Sequence, residues 1–220
     1  MVEIRFHSME RRKSMLKVGA VILAAGMSTR MGKPKLLLPL NGQPLFKYAL
    51  KATVDVSLQP IVLIAGHYIE EIRHYTHDLE DIEIIYNQNY ANGMASSLKL
   101  GIQAVKKDVD AVMVFLADQP LVSKSIVQLL IDHYKAHKHE GIRIVRSKYK
   151  EDLGHPILFD AELFNEFDSI DGDQGGKEII KKYTQLTKII SFDNQMWGMD
   201  VDTPEDYLKM KKYFDLELYT

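Results

Sequence analysis

Small, hydroxyl-bearing and basic residues follow the first apolar run of the chain. After VGAVIL the sequence reads AAGMSTRMGKPK, in which Gly26 and Gly32 bracket Ser28 and Arg30, and Lys35 closes the segment. Glycines let the backbone approach a ligand closely and adopt positive φ, so amide groups can converge on phosphate oxygens. Arginine grips phosphate with a planar fork, and lysine adds a point charge. The segment indicates a phosphate-binding loop; a plain turn with surface basic residues is the alternative.

Three aspartates stand where extended segments end. Asp118 lies in LADQP, and Asp200 and Asp202 lie in MDVDTPEDY. Residues two apart in an extended segment face the same side, so Asp200 and Asp202 can share one cleft. Mg²⁺ takes one or two carboxylates together with substrate phosphates, which predicts a Mg²⁺ site on Asp118 and Asp202. In the alternative, Asp202 merely precedes a helix capped by TPED, and Asp118 satisfies a turn.

The composition is typical of a single globular domain. The chain has 220 residues, 46% of them hydrophobic, and a formal charge of -2 from 28 basic and 30 acidic residues. That balance gives no reason to expect nucleic acid or an anionic membrane as a partner. The longest apolar run, 18–25, is far shorter than the roughly 20 residues that cross a bilayer. Zero cysteines exclude disulfides and thiolate sites and favour a cytoplasmic protein.

Apolar runs alternate with amphipathic segments along the first two thirds of the chain. Strands are predicted at VGAVIL, PIVLIAG, IEIIYN, AVMVFLAD and IRIVRS, and helices at LFKYALKATV, YIEEIRHYT, ASSLKLGIQAVKK and KSIVQLLIDHYKAHK. After Gly141 come HPILF, a short helix near AELFNEF, a helix near GGKEIIKKY, then TKIISF and a last helix from Pro204. The pattern predicts a three-layer α/β/α sandwich with a mainly parallel sheet, whose ligands lie beyond the carboxyl ends of the strands.

A long stretch of the sequence resembles one family of enzymes. The loop is neither GxGxxG nor GxxxxGK[ST]. LAAGMSTRMGKPKLLLPLNGQPL is instead similar to the signature of the molybdenum cofactor guanylyl- and cytidylyltransferases, roughly LAAGxSxRMGxxKxLLPxxGxPLL. The resemblance implies a nucleotide-diphospho-sugar transferase-like fold, a loop that wraps a nucleoside triphosphate, and Arg30 and Lys35 on its phosphates. It also implies that the aspartates of the DxQP and DxDTPED segments, Asp118 and Asp202, hold Mg²⁺.

The start of the chain allows two interpretations. A basic leader with Arg11, Arg12 and Lys13, an apolar run and small residues at Ala24 and Ala25 could be a signal peptide with its cleavage site. The continuation into the family signature favours a buried strand that runs into the loop. We therefore expect a flexible leader, 1–16, followed by a single domain, 17–220, with a nucleotide-binding half, 17–122, and an acceptor-binding half, 123–220.

The segment NQNYANGMASSLKLGI looks like the stretch of the cytidylyl branch that is implied to contact base and ribose, with Gly93 and Ser97 preferred. Simple helix capping is the alternative. Arg30, Lys35 and Asp118 are implied as catalytic. The full set of implied nucleotide contacts is Leu23, Ala24, Ala25, Gly26, Ser28, Arg30, Lys35, Ala65, Gly66, Asn87, Gly93, Ser97 and Asp118.

LGHPILF and GDQGGKEII look like the GHPVLF and GDxGAR blocks of the same branch, which are implied to face the pterin. The implied acceptor contacts are Gly154, His155, Pro156, Gly172, Asp173 and Gly175. Without the resemblance, His155 would be interpreted as a hydrogen-bonded structural histidine and not as a catalytic base. Gly176 and Lys177 replace the Ala-Arg of the family block, and lysine keeps the charge without the bidentate fork.

The resemblance implies that the terminal phosphate of molybdopterin attacks the α-phosphate of CTP and pyrophosphate leaves. Ala25 favours CTP, because guanylyl relatives carry LAGG where this chain carries LAAG and a methyl group narrows the pocket. The alternatives are guanylyl transfer, another small-molecule phosphate or sugar-phosphate nucleotidylyltransferase, and a non-catalytic carrier of the cofactor. A transient contact with a molybdenum hydroxylase is expected, with no nucleic acid and no membrane as partner.

Overall fold

The computed structural model describes residues 16–217, apart from Glu80 and Gln174. The leader expected for residues 1–16 lies outside this part of the chain, except for its last residue.

The described residues form one seven-stranded sheet and a small two-stranded one. The strands are β1 (Val18–Ala24), β2 (Pro39–Leu40), β3 (Gln43–Pro44), β4 (Ile61–Ala65), β5 (Ile82–Tyr86), β6 (Ala111–Leu116), β7 (Ile144–Tyr149), β8 (Asp152–Asp160) and β9 (Thr187–Phe192). The large sheet has the order β5-β4-β1-β6-β8-β7-β9, and β2 pairs with β3. Only β8 runs against its neighbours in the large sheet, so this sheet is mainly parallel, as predicted.

Helices cover both faces of the large sheet. They are α1 (Phe46–Val54), α2 (Ile69–Thr76), α3 (Met94–Val105), α4 (Lys124–His137), α5 (Lys177–Lys182) and α6 (Pro204–Glu217). The predicted short helix at AELFNEF is a 3₁₀ helix, Ala161–Ser169. One core packs α1, α2 and α4 on the sheet, and the other packs α3, α5 and the 3₁₀ helix on the opposite face. The predicted three-layer sandwich is confirmed.

Successive side chains of β1 point to opposite faces of the sheet, and both faces are buried, so every position of the strand is apolar. Ala20 and Ile22 are buried in the first core and Val21 in the second. The chain passes from β1 outward to β4 and β5, and then returns to β6 on the other side of β1. In sheets of this kind, ligands bind at the point where the strand order reverses. Leu23 and Leu116 pair there, at the ends of β1 and β6.

The region expected to form acceptor loops differs from the prediction. Gly154, His155 and Pro156 lie inside β8, which pairs antiparallel with both β6 and β7. β8 remains a strand because Ile157, Leu158 and Phe159 are buried between the two helical layers. The GHP segment therefore lies within the sheet and not in a loop beyond it.

Candidate active site

The loop after β1 folds back on itself. Ser28 adopts the left-handed conformation, with φ of 55°, and a single 3₁₀ turn, Thr29–Met31, follows. The Ser28 hydroxyl then accepts a hydrogen bond of 3.2 Å from the Lys35 amide. This contact closes the loop and directs Lys35 inward toward the ends of β1 and β6.

Lys35 lies between two of the predicted aspartates. Its Nζ is 2.5 Å from Oδ2 of Asp118 and 2.7 Å from Oδ1 of Asp202, and its side chain is only 11% exposed. Burial alone would lower the pKa of Lys35, but the two carboxylates outweigh burial and raise the pKa above its usual value. The ammonium group is therefore firmly charged and bridges two segments that are far apart in sequence.

Arg30 completes this group of ion pairs. Its guanidinium lies 2.8 Å from Oδ2 of Asp202. Partial burial opposes ionisation of Asp202, but Lys35 and Arg30 outweigh it and hold the pKa of this carboxyl below its usual value. Asp202 also directly precedes α6, where Thr203 and Asp206 exchange hydrogen bonds of 2.9 and 3.2 Å as a cap. The segment therefore forms the helix cap considered from the sequence, and Asp202 forms ion pairs with Arg30 and Lys35 as well.

A third carboxylate stands beside these two. The side-chain amide of Gln119 donates to Oδ1 of Asp200 at 2.7 Å and to the Gly198 carbonyl at 3.1 Å. Desolvation by the surrounding protein, with the nearby charge of Asp118, raises the pKa of Asp200 to about 6. Oδ1 of Asp118 is shielded from solvent and has no hydrogen-bond partner among the described residues. In that same part of the chain, no group of three or more His, Asp or Glu side chains could hold a metal ion by itself.

A cavity of about 390 Å³ opens next to the loop. Ala25, Gly26 and Arg30 line it from the loop, and Gly93 and Ser97 line it from the start of α3. Gly66 lies against this wall, because a Cβ atom there would come within 2.8 Å of the Ala25 carbonyl oxygen. The shape brings the phosphate-type loop and the predicted base-contacting segment to one cavity.

The segment before α3 is held by a network of polar side chains. The Asn87 amide donates to the hydroxyls of Ser96 and Ser97, each at 2.8 Å, and its Oδ1 accepts from the Asn89 amide at 2.9 Å. The predicted serine caps are absent from α3 as described, since Gly93 occupies the N-cap position and no side chain caps it. Asn87 therefore positions Ser97 at the cavity.

Gly93→Ala is expected to destabilise the protein by about 2 kcal/mol or more. Gly93 has φ of 95°, and a Cβ there would lie 2.6 Å from both the Gly172 carbonyl oxygen and Asp173. Gly141 is the matched control, because it has the same φ but nothing within 4 Å of a Cβ. Denaturant unfolding of both variants should show the larger loss for Gly93→Ala; equal losses would contradict the steric account.

A second, larger cavity of about 780 Å³ lies under the GHP segment. Gly154, His155 and Lys177 line it, with Asp200 at the end nearest the ion pairs. Burial, together with the charges of Arg146 and Lys177, lowers the pKa of His155 to about 3, so this ring is neutral near pH 7. Leu23, Met94, Leu116 and Asp173 line both cavities, so the two spaces adjoin at the ends of β1 and β6.

Other predicted site residues do not line either cavity. Ala24 and Ala65 are buried in the apolar core at strand ends. Ser28, Gly66, Asn87 and Gly172 shape the walls through backbone or side-chain contacts, and the Gly172 carbonyl accepts from the Ala95 amide at 2.9 Å. Gly175 lies behind Met94, and Pro156 is buried.

Gln119, Met94 and Arg146 are among the cavity-lining residues that the sequence did not predict. Gln119 stands next to Asp118 in DQP, and its burial could not be deduced from its polar side chain. Arg146 carried a usable signal, because it is a basic residue inside a strand that was predicted to be buried on both faces.

Comparisons with known proteins find relatives along most of this chain. The model of the MobA-like NTP transferase domain matches residues 20–187. A nicotine blue oxidoreductase of Paenarthrobacter nicotinovorans is 29% identical over 203 residues, which are 88% of this chain and 96% of that protein. The molybdenum cofactor cytidylyltransferase of Escherichia coli K12 is 24% identical over 204 residues, which are 91% of this chain and 98% of that protein.

The crystal structure of Rv0371c from Mycobacterium tuberculosis H37Rv has a TM-score of 0.80 at 25% identity and covers 90% of this chain and 98% of its own. A structure of the same mycobacterial protein in complex with manganese has a TM-score of 0.75 at 23% identity, covering 89% and 98%. The curated relatives carry names for different reactions, so similarity alone does not select the substrates. No helix in the described part of the chain is both long and apolar enough to span a membrane.

Proposed function

Because the chain belongs to the MobA-like NTP transferase domain family, we propose that it transfers a cytidylyl group from CTP to the phosphate of a molybdopterin-type cofactor and releases pyrophosphate. The observation that carries this proposal is the meeting of two cavities at one group of ion pairs. A nucleotidyltransferase must hold a triphosphate and an acceptor phosphate together, and proximity with orientation supplies much of the rate enhancement.

The two cavities are lined mainly by different halves of the chain. The smaller cavity is lined by residues of the 17–122 half, apart from Asp173. Most residues that line the larger cavity come from the 123–220 half. We assign the smaller cavity to the nucleotide and the larger one to the acceptor, whose phosphate reaches the junction near Asp118 and Asp200. The predicted acceptor contacts Gly154, His155 and Asp173 belong to this second space.

Asp118, which lines the smaller cavity, and Asp202, which lines neither cavity but contacts Lys35, fit a Mg²⁺ ion. Oδ1 of Asp118 lacks a hydrogen-bond partner among the described residues, and Asp202 lies within 2.7 Å of the same ammonium group. A pair of carboxylates that leaves the remaining positions to phosphate and water is the usual Mg²⁺ arrangement. Asp118 and Asp202 would hold the ion, which when bound neutralises charge on the triphosphate.

In the proposed reaction, the side chains of this protein contribute by positioning the substrates and by neutralising negative charge. A phosphate monoester acceptor is already anionic near neutral pH, so the reaction needs no strong general base. When the triphosphate enters, Lys35 and Arg30 exchange carboxylate partners for phosphate oxygens and offset the negative charge of the departing pyrophosphate. Ser97 and Gly93 fix the nucleoside end, so the α-phosphate faces the acceptor cavity.

Ala25→Gly is expected to raise the selectivity for GTP relative to CTP by about tenfold, the order of effect of one methyl group in a binding pocket. Ala25 is only 8% exposed and lines the nucleotide cavity, so its methyl group narrows the space for a purine. Ala24→Gly is the matched control, because Ala24 packs in the core instead. The kcat/KM values for CTP and GTP give the ratio, which should move only in Ala25→Gly.

Pyrophosphate release from CTP, GTP and ATP, each with molybdopterin and Mg²⁺, tests the proposal directly. We expect release with CTP to exceed release with the other two nucleotides. A preference for GTP would instead identify a guanylyltransferase. Binding of CTP and cofactor with no pyrophosphate release would identify a carrier, and would refute the proposed reaction.

A further inference from the structure

The acceptor cavity contains a guanidinium group without a counter-ion in the described part of the chain. Arg146 lines this cavity from β7. Its Nε is shielded from solvent and donates no hydrogen bond to any described residue, and no salt bridge to it is formed within those residues. Arg146 is half-buried, and a cation whose Nε is shielded from water is costly to leave without a partner, which a ligand or another charge can supply.

The pairing of β7 with β8 places Arg146 in the cavity. Arg146 lies opposite Ile157, but the next residue, Ser147, lies opposite Gly154. His155 and Pro156 are therefore extra residues on β8 at this point. Bulges of this kind bend a strand and redirect side chains, and they occur often beside active sites. Here the irregularity brings Arg146 and His155 to the same cavity.

The four acidic side chains that line this cavity all accept hydrogen bonds from other groups, and Asp206 does so from the Thr203 amide. Asp152 accepts from the Gln195 amide at 2.7 Å, Asp173 from the Met94 backbone at 3.2 Å, and Asp200 from Gln119 at 2.7 Å. Desolvation is the cause that lowers the pKa of Arg146, with no carboxylate acting against it. Lys177 adds further positive charge to the cavity wall, as do Lys150 and Lys209. No carboxylate of the described residues thus offsets the charge of Arg146, and the guanidinium can receive an anion.

The wall beside Arg146 is apolar. Val114, Ile157 and Phe159 lie on neighbouring strands of the sheet and line the same cavity. A sheet surface of this kind suits a flat ring system, whereas the cations suit a charged substituent at its edge.

We propose that Arg146 binds a second anionic group of the acceptor, separate from the phosphate that reacts, with Lys177 contributing charge. The acceptor is then a flat ring body with anionic groups at two places, one at the junction with the nucleotide and one against Arg146. This inference rests on the proposed function. It describes the chemical class of acceptor that the larger cavity would bind. Lys177 stands where the family block has an arginine, so it lacks the guanidinium that binds an anion through two hydrogen bonds. Arg146 can supply such a guanidinium to the same cavity.

Two measurements on Arg146→Met, Arg146→Lys and Lys148→Met test the inference. Lys148 is the matched control, because it lies two residues away on β7, pairs with Glu151 and does not line the cavity. The first measurement is calorimetric binding of 6-carboxypterin, a pterin ring with one carboxylate and no phosphate. We expect binding at least tenfold weaker in Arg146→Met, intermediate in Arg146→Lys, and unchanged in Lys148→Met.

The second measurement is the KM for molybdopterin and the KM for CTP during pyrophosphate release. Arg146→Met should raise the acceptor KM at least tenfold and leave the CTP KM within twofold. Thermal melting checks that each variant is folded. If the folded wild type does not bind 6-carboxypterin, or binds it no better than Arg146→Met, the inference is overturned; an unchanged acceptor KM also overturns it. If the wild type releases no pyrophosphate with any nucleotide, the proposed function fails, while the binding measurement alone still decides the anion site.

Discussion

Asp118→Asn is expected to lower kcat for pyrophosphate release by at least about 10³-fold, because in the proposed reaction it removes the charge that would hold Mg²⁺ and orient Lys35 at the reacting phosphates. Asparagine has nearly the same shape, so the loss should come from charge and not from packing. Asp118 is the one carboxylate whose Oδ2 contacts Lys35 while its Oδ1 is left without a partner among the described residues.

Steady-state kinetics at saturating CTP and Mg²⁺ measure the effect. Asp55→Asn is the matched control, since Asp55 forms its ion pair with Lys51 on the surface of α1, away from both cavities. Near-normal turnover of Asp118→Asn in Mg²⁺ would mean that the metal and ion-pair assignment at β6 is wrong.

Lys35→Met is expected to lower kcat/KM for CTP by about 10²- to 10³-fold and to reduce the free energy of unfolding by about 1–3 kcal/mol. Both effects arise from one ammonium group. It offsets charge on the leaving pyrophosphate, and in the structure described here it separates Asp118 from Asp202. Without it, two carboxylates face each other across the junction, so added Mg²⁺ should stabilise the variant more than the wild type.

Denaturant unfolding with and without Mg²⁺ measures the stability effect, and kinetics measure the catalytic one. Lys33→Met in the same loop is the control, because Lys33 is exposed and lines neither cavity. Equal responses of the two lysine variants to Mg²⁺ would refute the role assigned to the Lys35 ammonium.

The core of the fold could be predicted from the sequence because local pattern decides it. Strands such as VGAVIL and AVMVFL are apolar at every position, and this is what burial between two helical layers requires. The direction of β8 could not be predicted in the same way. Its antiparallel pairing depends on which strand it meets, and the extra residues His155 and Pro156 belong to that pairing and not to any local periodicity.

The candidate site was partly predictable for a related reason. Asp118 and Lys35 have the residue types of a phosphate site and follow apolar strands, so their place beyond the sheet could be expected. Their direct contact, and that of Lys35 with Asp202 across 167 positions, follows only from the folded chain. The basic character of Arg146 inside a predicted buried strand was a usable signal, but its role depends on a bulge and on the absence of a partner within the described chain, which only the fold shows.

The wall shared by the two cavities has a consequence for how this scaffold can change its substrates. Leu23, Met94, Leu116 and Asp173 face both spaces, so a substitution at any of them alters the donor and the acceptor at once. Ala25 and Arg146 each face only one. A lineage, or a directed-evolution experiment, can therefore exchange one substrate in single steps through positions such as these, whereas a change in the shared wall requires compensation on its other side.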